Sequence, residues 1–134
     1  GGIRTDLGHY VRSTWEANIC RIMNFMGRIY QYESHRFAIT IDGNKYTYCP
    51  DVFIPKTGRY YEIKGHARSS KKWLCTCKHC NKNKKLIAQL KLSGIKITVI
   101  GREEYLKFCR RFQDKAPNWE KFNAQRQKKQ DCSC

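Results

Sequence analysis

The sequence predicts an α/β domain of the α+β kind, with a mixed central β-sheet flanked by helices. Three observations predict it. Trp15, Ile19, Ile22, Met23 and Met26 recur at helical spacing near the start of the chain. Residues 29–63 are rich in β-branched and aromatic side chains broken by turn signals. Ile95, Ile97 and Val99 alternate between two further stretches of helical period.

The elements follow in order. Ser13-Thr14-Trp15-Glu16 matches a capping box, and Gly27 stands where a helix C-terminal cap belongs. Strands are expected over Ile29–Glu33, Arg36–Ile41 and Lys45–Tyr48, with Asp42-Gly43-Asn44 as a hairpin turn. Two more, Asp51–Ile54 and Arg59–Ile63, are separated by the turn sequence Pro55-Lys56-Thr57-Gly58. After Gly65 the pattern lapses until Lys82, where a helix carrying Leu86, Ile87 and Leu90 runs to Ser93-Gly94. A last helix sets Tyr105, Phe108, Cys109 and Phe112 on one stripe. The 134 residues suit one domain, divided into an N-terminal arm (1–11), a basic Cys-rich loop (66–81) and a polar C-terminal tail from residue 114 to 134, with Trp119 and Phe122 as docking points.

Charge narrows the partner. The chain has 27 Lys+Arg against 11 Asp+Glu, a formal +16, which excludes a neutral or acidic surface and favours a polyanion, above all nucleic acid. No run approaches the ~18 apolar residues of a membrane span. A cytoplasmic, reducing compartment is expected, because no signal-peptide pattern opens the chain and five of the eight cysteines fall in two tight clusters that suit metal thiolates better than disulfides.

The chemistry centres on Asp51, Glu62 and Lys64. Pro50-Asp51 opens one expected strand, and Glu62-Ile63-Lys64 closes the next. Positions i and i+2 of a strand share a face, so Glu62 and Lys64 project together and the hairpin brings Asp51 beside them. Converging carboxylates repel unless a cation lies between them, and hard oxygen ligands select Mg²⁺ or Mn²⁺. An adjacent ammonium stabilises charge on a pentavalent phosphorus, so the set suits phosphodiester hydrolysis. Blander roles exist for each residue. Asp51 also fits a strand edge, Glu62 and Lys64 a solvent-facing row, and Glu16 a helix cap.

Pro50-Asp51 followed eleven positions on by Glu62-x-Lys64 resembles the signature of the PD-(D/E)XK nuclease superfamily. Arg12-Ser13-x-x-Glu16, Gly27, Tyr32-Glu33, Tyr48-x-Pro50-Asp51 and Lys64-Gly65 follow in an order that resembles the phage junction-resolving endonuclease I family, over roughly residues 12 to 119. The Arg-Ser-Thr-Trp-Glu-Ala-Asn opening also resembles small phage and mobile-element nucleases, some of homing type. The resemblance implies a restriction-endonuclease-like core and a metal-dependent DNA endonuclease of a bacterial or phage-infected cell. It also implies metal binding by Asp51, Glu62 and the Ile63 carbonyl, with Lys64 as catalytic lysine and Glu16 as a second acidic contributor. A Cys-rich insertion after the lysine strand departs from the endonuclease I pattern, so junction-resolving and site-specific cleavage both stay open.

Cys75-x-Cys77-x-x-Cys80 and Cys132-x-Cys134 have the spacing of a structural zinc site, with four of these five cysteines as ligands and His79 as a substitute. Unligated thiols are the alternative. Cys20, Cys49 and Cys109 lie in apolar patterns and read as core residues. From Ile63 through Arg102 there is no carboxylate but eleven Lys or Arg. Within that run Arg68, Lys71 and Lys72 lie closest to the acidic centre and are the expected phosphate contacts. Trp73 and Tyr46 offer base stacking or core packing. A dimer on DNA suits cutting of both strands. The rival function is a non-catalytic zinc-containing nucleic-acid-binding module.

Overall fold

The structure is a computed structural model that describes residues 1–64 and 78–121. The expected arm is folded: β1 (Gly2–Arg4) and β2 (His9–Val11) pair antiparallel. Its anchors are Leu7, which packs on the core, and ion pairs from Arg4 to Glu120 and from Asp6 to Arg21. Helix α1 (Thr14–Phe25) begins where the capping box places it. Ser13 Oγ accepts from the Glu16 N–H at 3.2 Å and donates to Glu16 Oε1 at 2.7 Å. It ends in a Schellman motif, with Arg28 N–H on Met23 O at 2.8 Å and Gly27 N–H on Asn24 O at 3.0 Å. That turn needs φ +67 at residue 27, where glycine has no Cβ to clash.

Short β3 (Gln31–Tyr32) leads to β4 (Phe37–Ile41) and β5 (Asn44–Tyr48), a hairpin closed by a two-residue turn with φ of 50 at Asp42 and 76 at Gly43. This hairpin is a separate two-stranded sheet rather than part of the central one. Then come β6 (Val52–Ile54), β7 (Arg59–Ile63), α2 (Lys78–Leu92), β8 (Lys96–Ile100) and α3 (Arg102–Phe112). The central sheet runs β3-β6-β7-β8 and is mixed: β3/β6 and β6/β7 are antiparallel, whereas β7/β8 are parallel. Parallel neighbours need a crossover, and α2 lies in the segment that supplies it. Helix α2 is already formed at Lys78, the first described residue after residue 64 and four before the expected Lys82, and Cys80, seven positions before Ile87, continues its buried stripe. Residues 78–81 therefore belong to a helix and not to a 66–81 loop.

Strand alternation divides the core into two layers. On one face Val52, Ile54, Ile63 and Ile100 pack with Trp15, Ile19, Cys20 and Met23 of α1 and with Tyr105 and Phe112 of α3. On the other, Tyr60 and Ile97 pack with Leu86, Ile87 and Leu90 of α2 and with Ile39 and Tyr48 of the hairpin. Trp15 and Tyr105 stack with centroids 4.0 Å apart. Residues 114–121 are not a free tail, and the other expected docking point, Phe122, lies outside the described residues. Ala116 is buried, Trp119 packs on the first layer, and Glu120 is gripped by Asn18.

Asn18 is fully buried and its amide is saturated. Nδ2 donates to Tyr105 Oη at 2.9 Å and Glu120 O at 2.8 Å, while Oδ1 accepts from Glu120 N at 3.0 Å and Arg21 Nη1 at 3.1 Å. Truncation leaves these groups dry and unpaired. Asn18→Ala is expected to lower unfolding free energy by about 3 kcal/mol in urea titration, and a loss under about 0.5 kcal/mol would show that water replaces the amide.

Candidate active site

The register of the β6/β7 hairpin creates the site. Val52 pairs with Tyr61, and continuing that ladder by one residue sets Asp51 opposite Glu62. Glu62 shares its face of β7 with Tyr60, beneath the β4/β5 hairpin and α2. Pro50 lacks an N–H, and the Asp51 backbone carbonyl accepts from Glu33 N at 2.8 Å. Asp51 Oδ2 then accepts from the Ile63 N–H at 2.6 Å, which ties the carboxylate to the end of β7. Lys64, two residues past Glu62 on the same side, forms an ion pair through Nζ with Glu62 Oε1. The structure thus brings Asp51, Glu62 and Lys64 together.

Both carboxylates are buried, Asp51 at 9% and Glu62 at 4% exposure. Among the described residues neither Glu62 Oε2 nor the buried hydroxyl of Tyr48 has a hydrogen-bond partner of normal geometry, yet the two side chains are close: burial, then the charge of Glu62 and a hydrogen bond with it, raise the Tyr48 pKa. Burial, then the charges of Glu62 and Glu16, hold the Asp51 carboxyl well above the usual carboxylate range. The Ile63 N–H and Lys64 pull it down by less.

Glu16 is placed close enough to act on Asp51 electrostatically, but its oxygens are engaged. Oε1 accepts from Ser13, and Oε2 accepts from the Arg12 N–H at 3.1 Å and from Tyr32 Oη at 2.5 Å. At the rim, Arg12 Nε pairs with Glu33 at 2.7 Å, and the charges of Glu33, Asp51 and Glu16 all raise the Arg12 pKa. Glu33 adopts φ 46, an uncommon conformation for a non-glycine residue. The charges of Glu16 and Glu62 act on Asp51, and those of Glu33, Asp51 and Glu16 act on Arg12, so the pair at the end of β7 sits in a wider acidic field.

The donor chemistry fits a hard divalent cation. Two buried carboxylates side by side carry more negative charge than the one ammonium of Lys64 balances. Among the described residues no three His, Cys, Asp or Glu groups gather into a complete metal site. Mg²⁺ does not require one, since it is commonly held by one or two carboxylates plus waters and substrate phosphate.

The other expected residues are differently placed. Cys80 is buried on α2. Cys75, Cys77, Cys132 and Cys134 lie outside the described residues, as do Arg68, Lys71, Lys72 and Trp73. Cys20 sits in the core, where burial pushes its thiol up to about 12, an inert value. Tyr46 packs on the second core layer with Lys82 Nζ 5.4 Å from its ring centroid. Sequence reasoning assigned no role at the site to Tyr48, Tyr32, Arg12 or Glu33. The signals for them are their places in the motif order of the family resemblance and, for Tyr48, alternation on β5, which puts it on the inner face with Tyr46.

Because the folded state raises the Asp51 pKa, it binds that proton more tightly than the unfolded chain does. The resulting stability is complete below the ordinary value of 3.8 and is lost as pH rises through the folded value. Asp51→Asn is therefore expected to raise the melting midpoint of metal-free protein at pH 7 by roughly 4 °C, with the gain shrinking toward pH 4. A gain independent of pH would mean that the buried charge is not its cause. No family model, curated protein or solved structure matches this chain.

Proposed function

We propose that the chain is a Mg²⁺- or Mn²⁺-dependent DNA endonuclease of phage or mobile-element type, with a restriction-endonuclease-like core. The observation that carries this reading is the pair Asp51–Glu62: in register, buried side by side, and joined by the ammonium of Lys64 on Glu62. A purely structural ion pair gains nothing from a second buried carboxylate. The formal +16 of the chain supplies the attraction for DNA.

Asp51 and Glu62 would hold the cation, with the Ile63 carbonyl as a further oxygen donor. When bound, it polarises a phosphoryl oxygen and makes water more acidic. Lys64, on the same side of β7 as Glu62, would offer its ammonium to the scissile phosphate and stabilise the charge that builds there. The Ile63 N–H and Lys64 hold Asp51 and Glu62 in place, which fixes the site before substrate arrives. Tyr32 and the Arg12 N–H keep Glu16 facing the centre as a background negative charge. Two copies on DNA would cut both strands. Four of Cys75, Cys77, Cys80, Cys132 and Cys134 would hold a structural zinc in a reducing cytoplasm.

The test is nicking of supercoiled plasmid with and without Mg²⁺. Asp51→Ala, Glu62→Ala and Lys64→Ala are each expected to slow cleavage at least about a hundredfold while DNA binding persists. Activity that survives both Asp51→Ala and Lys64→Ala overturns the assignment, and wild-type binding without cleavage leaves the non-catalytic module. A four-way junction set against linear duplex separates the two substrate classes. Replacing Arg68, Lys71 and Lys72 by alanine is expected to flatten the slope of log K against log salt by about 0.9 for each phosphate that these side chains neutralise. An unaltered slope removes them from the interface.

A further inference from the structure

We propose that a concavity next to the acidic centre is a stacking site for an unpaired nucleobase of the DNA substrate. It takes its ligand class from the endonuclease reading. The concavity has a volume of about 560 Å³, within the ~300–1,000 Å³ of small-ligand sites. Its wall is aromatic. His9 stacks on Tyr32 with centroids 5.0 Å apart and planes 23° apart, and Tyr30 meets His9 edge-on at 5.7 Å.

The rings are fixed before any ligand arrives. His9 Nδ1 donates to the Tyr10 carbonyl at 2.9 Å, and Nε2 is hydrogen-bonded to Tyr30 Oη at 2.8 Å. Tyr32 is held by its hydroxyl on Glu16. Preset rings lose little freedom on binding, which favours stacking. Around them Ile29 is 80% exposed, Asn24 offers an amide to a base edge, and Arg28 offers a cation to a phosphate. No lining residue is acidic, although acidic side chains crowd the neighbouring centre.

Position ties the concavity to the chemistry. Tyr32 lines it and also donates to Glu16, whose charge acts on Asp51. A base stacked there lies one side chain from the acidic centre, close to where a strand would enter it. Duplex bases are already stacked on each other, so this site selects an unpaired base, as at a branch or a frayed end.

The experiment measures binding of the full chain in EDTA, so that nothing is cleaved. The probes are a thymidine dodecamer and an abasic deoxyribose-phosphate strand of the same length, followed by fluorescence anisotropy. Wild type is expected to prefer the base-bearing strand by about tenfold. His9→Ala abolishes the preference, His9→Phe keeps it, and Arg28→Ala weakens both strands alike. Should His9→Ala disturb the circular dichroism spectrum, Asn24→Trp, which fills the concavity from an exposed helix position, must produce the same loss. Equal wild-type affinities, or a preference that survives both His9→Ala and Asn24→Trp, overturns the stacking site. The two readings fail separately. A preference without plasmid nicking removes the endonuclease and leaves the site standing, whereas nicking without a preference removes only the site.

Discussion

Burial of two facing carboxylates at the end of a β-hairpin is the constraint on which the rest depends. A hydrophobic pair at Asp51 and Glu62 would bury just as well and without electrostatic penalty. Instead the fold hides two negative charges behind Tyr48 and the β4/β5 hairpin and supplies one ammonium, one backbone N–H and a distant third carboxylate. Desolvation and like-charge repulsion both raise the Asp51 pKa, so the arrangement is unfavourable without a further positive charge. Such local disadvantage persists only where something else holds it in place.

That support comes from the two core layers. The strands β6, β7 and β8 are clamped between α1 and α3 on one face and α2 with the hairpin on the other. Register cannot slip, because a shift of one residue would turn Val52 and Ile54 toward the second layer and Asp51 toward the first. Polar contacts secure the margins. Asn18 and Arg21 of α1 bind the N-terminal hairpin through Asp6 and the C-terminal segment through Glu120, so both ends of the described chain close over one helix. The capping box performs two functions with one residue. Glu16 closes the start of α1 and, held by Tyr32, adds its field to the acidic centre.

Local features were legible in the sequence, and the reasons are particular. The first helix, its Ser13 cap and its Gly27 stop follow from spacing and backbone chemistry within a few residues. The placing of Asp51 beside Glu62 followed too, since a four-residue turn at Pro55–Gly58 leaves an antiparallel hairpin few registers. Non-local pairing was not legible. Nothing within residues 29–33 says that β3 pairs with β6, and so Tyr32 and Glu33 could not be set beside the centre. The same holds for residues 1–11, which read as an arm because their anchors, Arg21 and Glu120, lie far along the chain. The start of α2 is obscured by Cys80, whose spacing from Cys77 suggests a metal ligand and conceals its place in the apolar stripe.

Charge segregation links the site to its surroundings. The chain is formally +16, yet two of its acidic side chains, Asp51 and Glu62, lie buried side by side. Random placement on so basic a chain would spread acids among lysines, where each could form an exposed pair worth little. Concentrating them costs Coulomb energy, which is lowest when a mobile cation completes the set. In the proposed reading the net positive charge of the chain has a second role: it would draw a polyanion toward a centre that repels phosphate if left uncompensated. A polyanion and a divalent cation arriving together each remove the other's repulsion, because the phosphate brings negative charge to the metal and the metal shields the carboxylates from the phosphate. Under the proposed endonuclease reading, cooperative binding of the two would follow from electrostatics alone, and the strand and the ion would meet at the acidic centre.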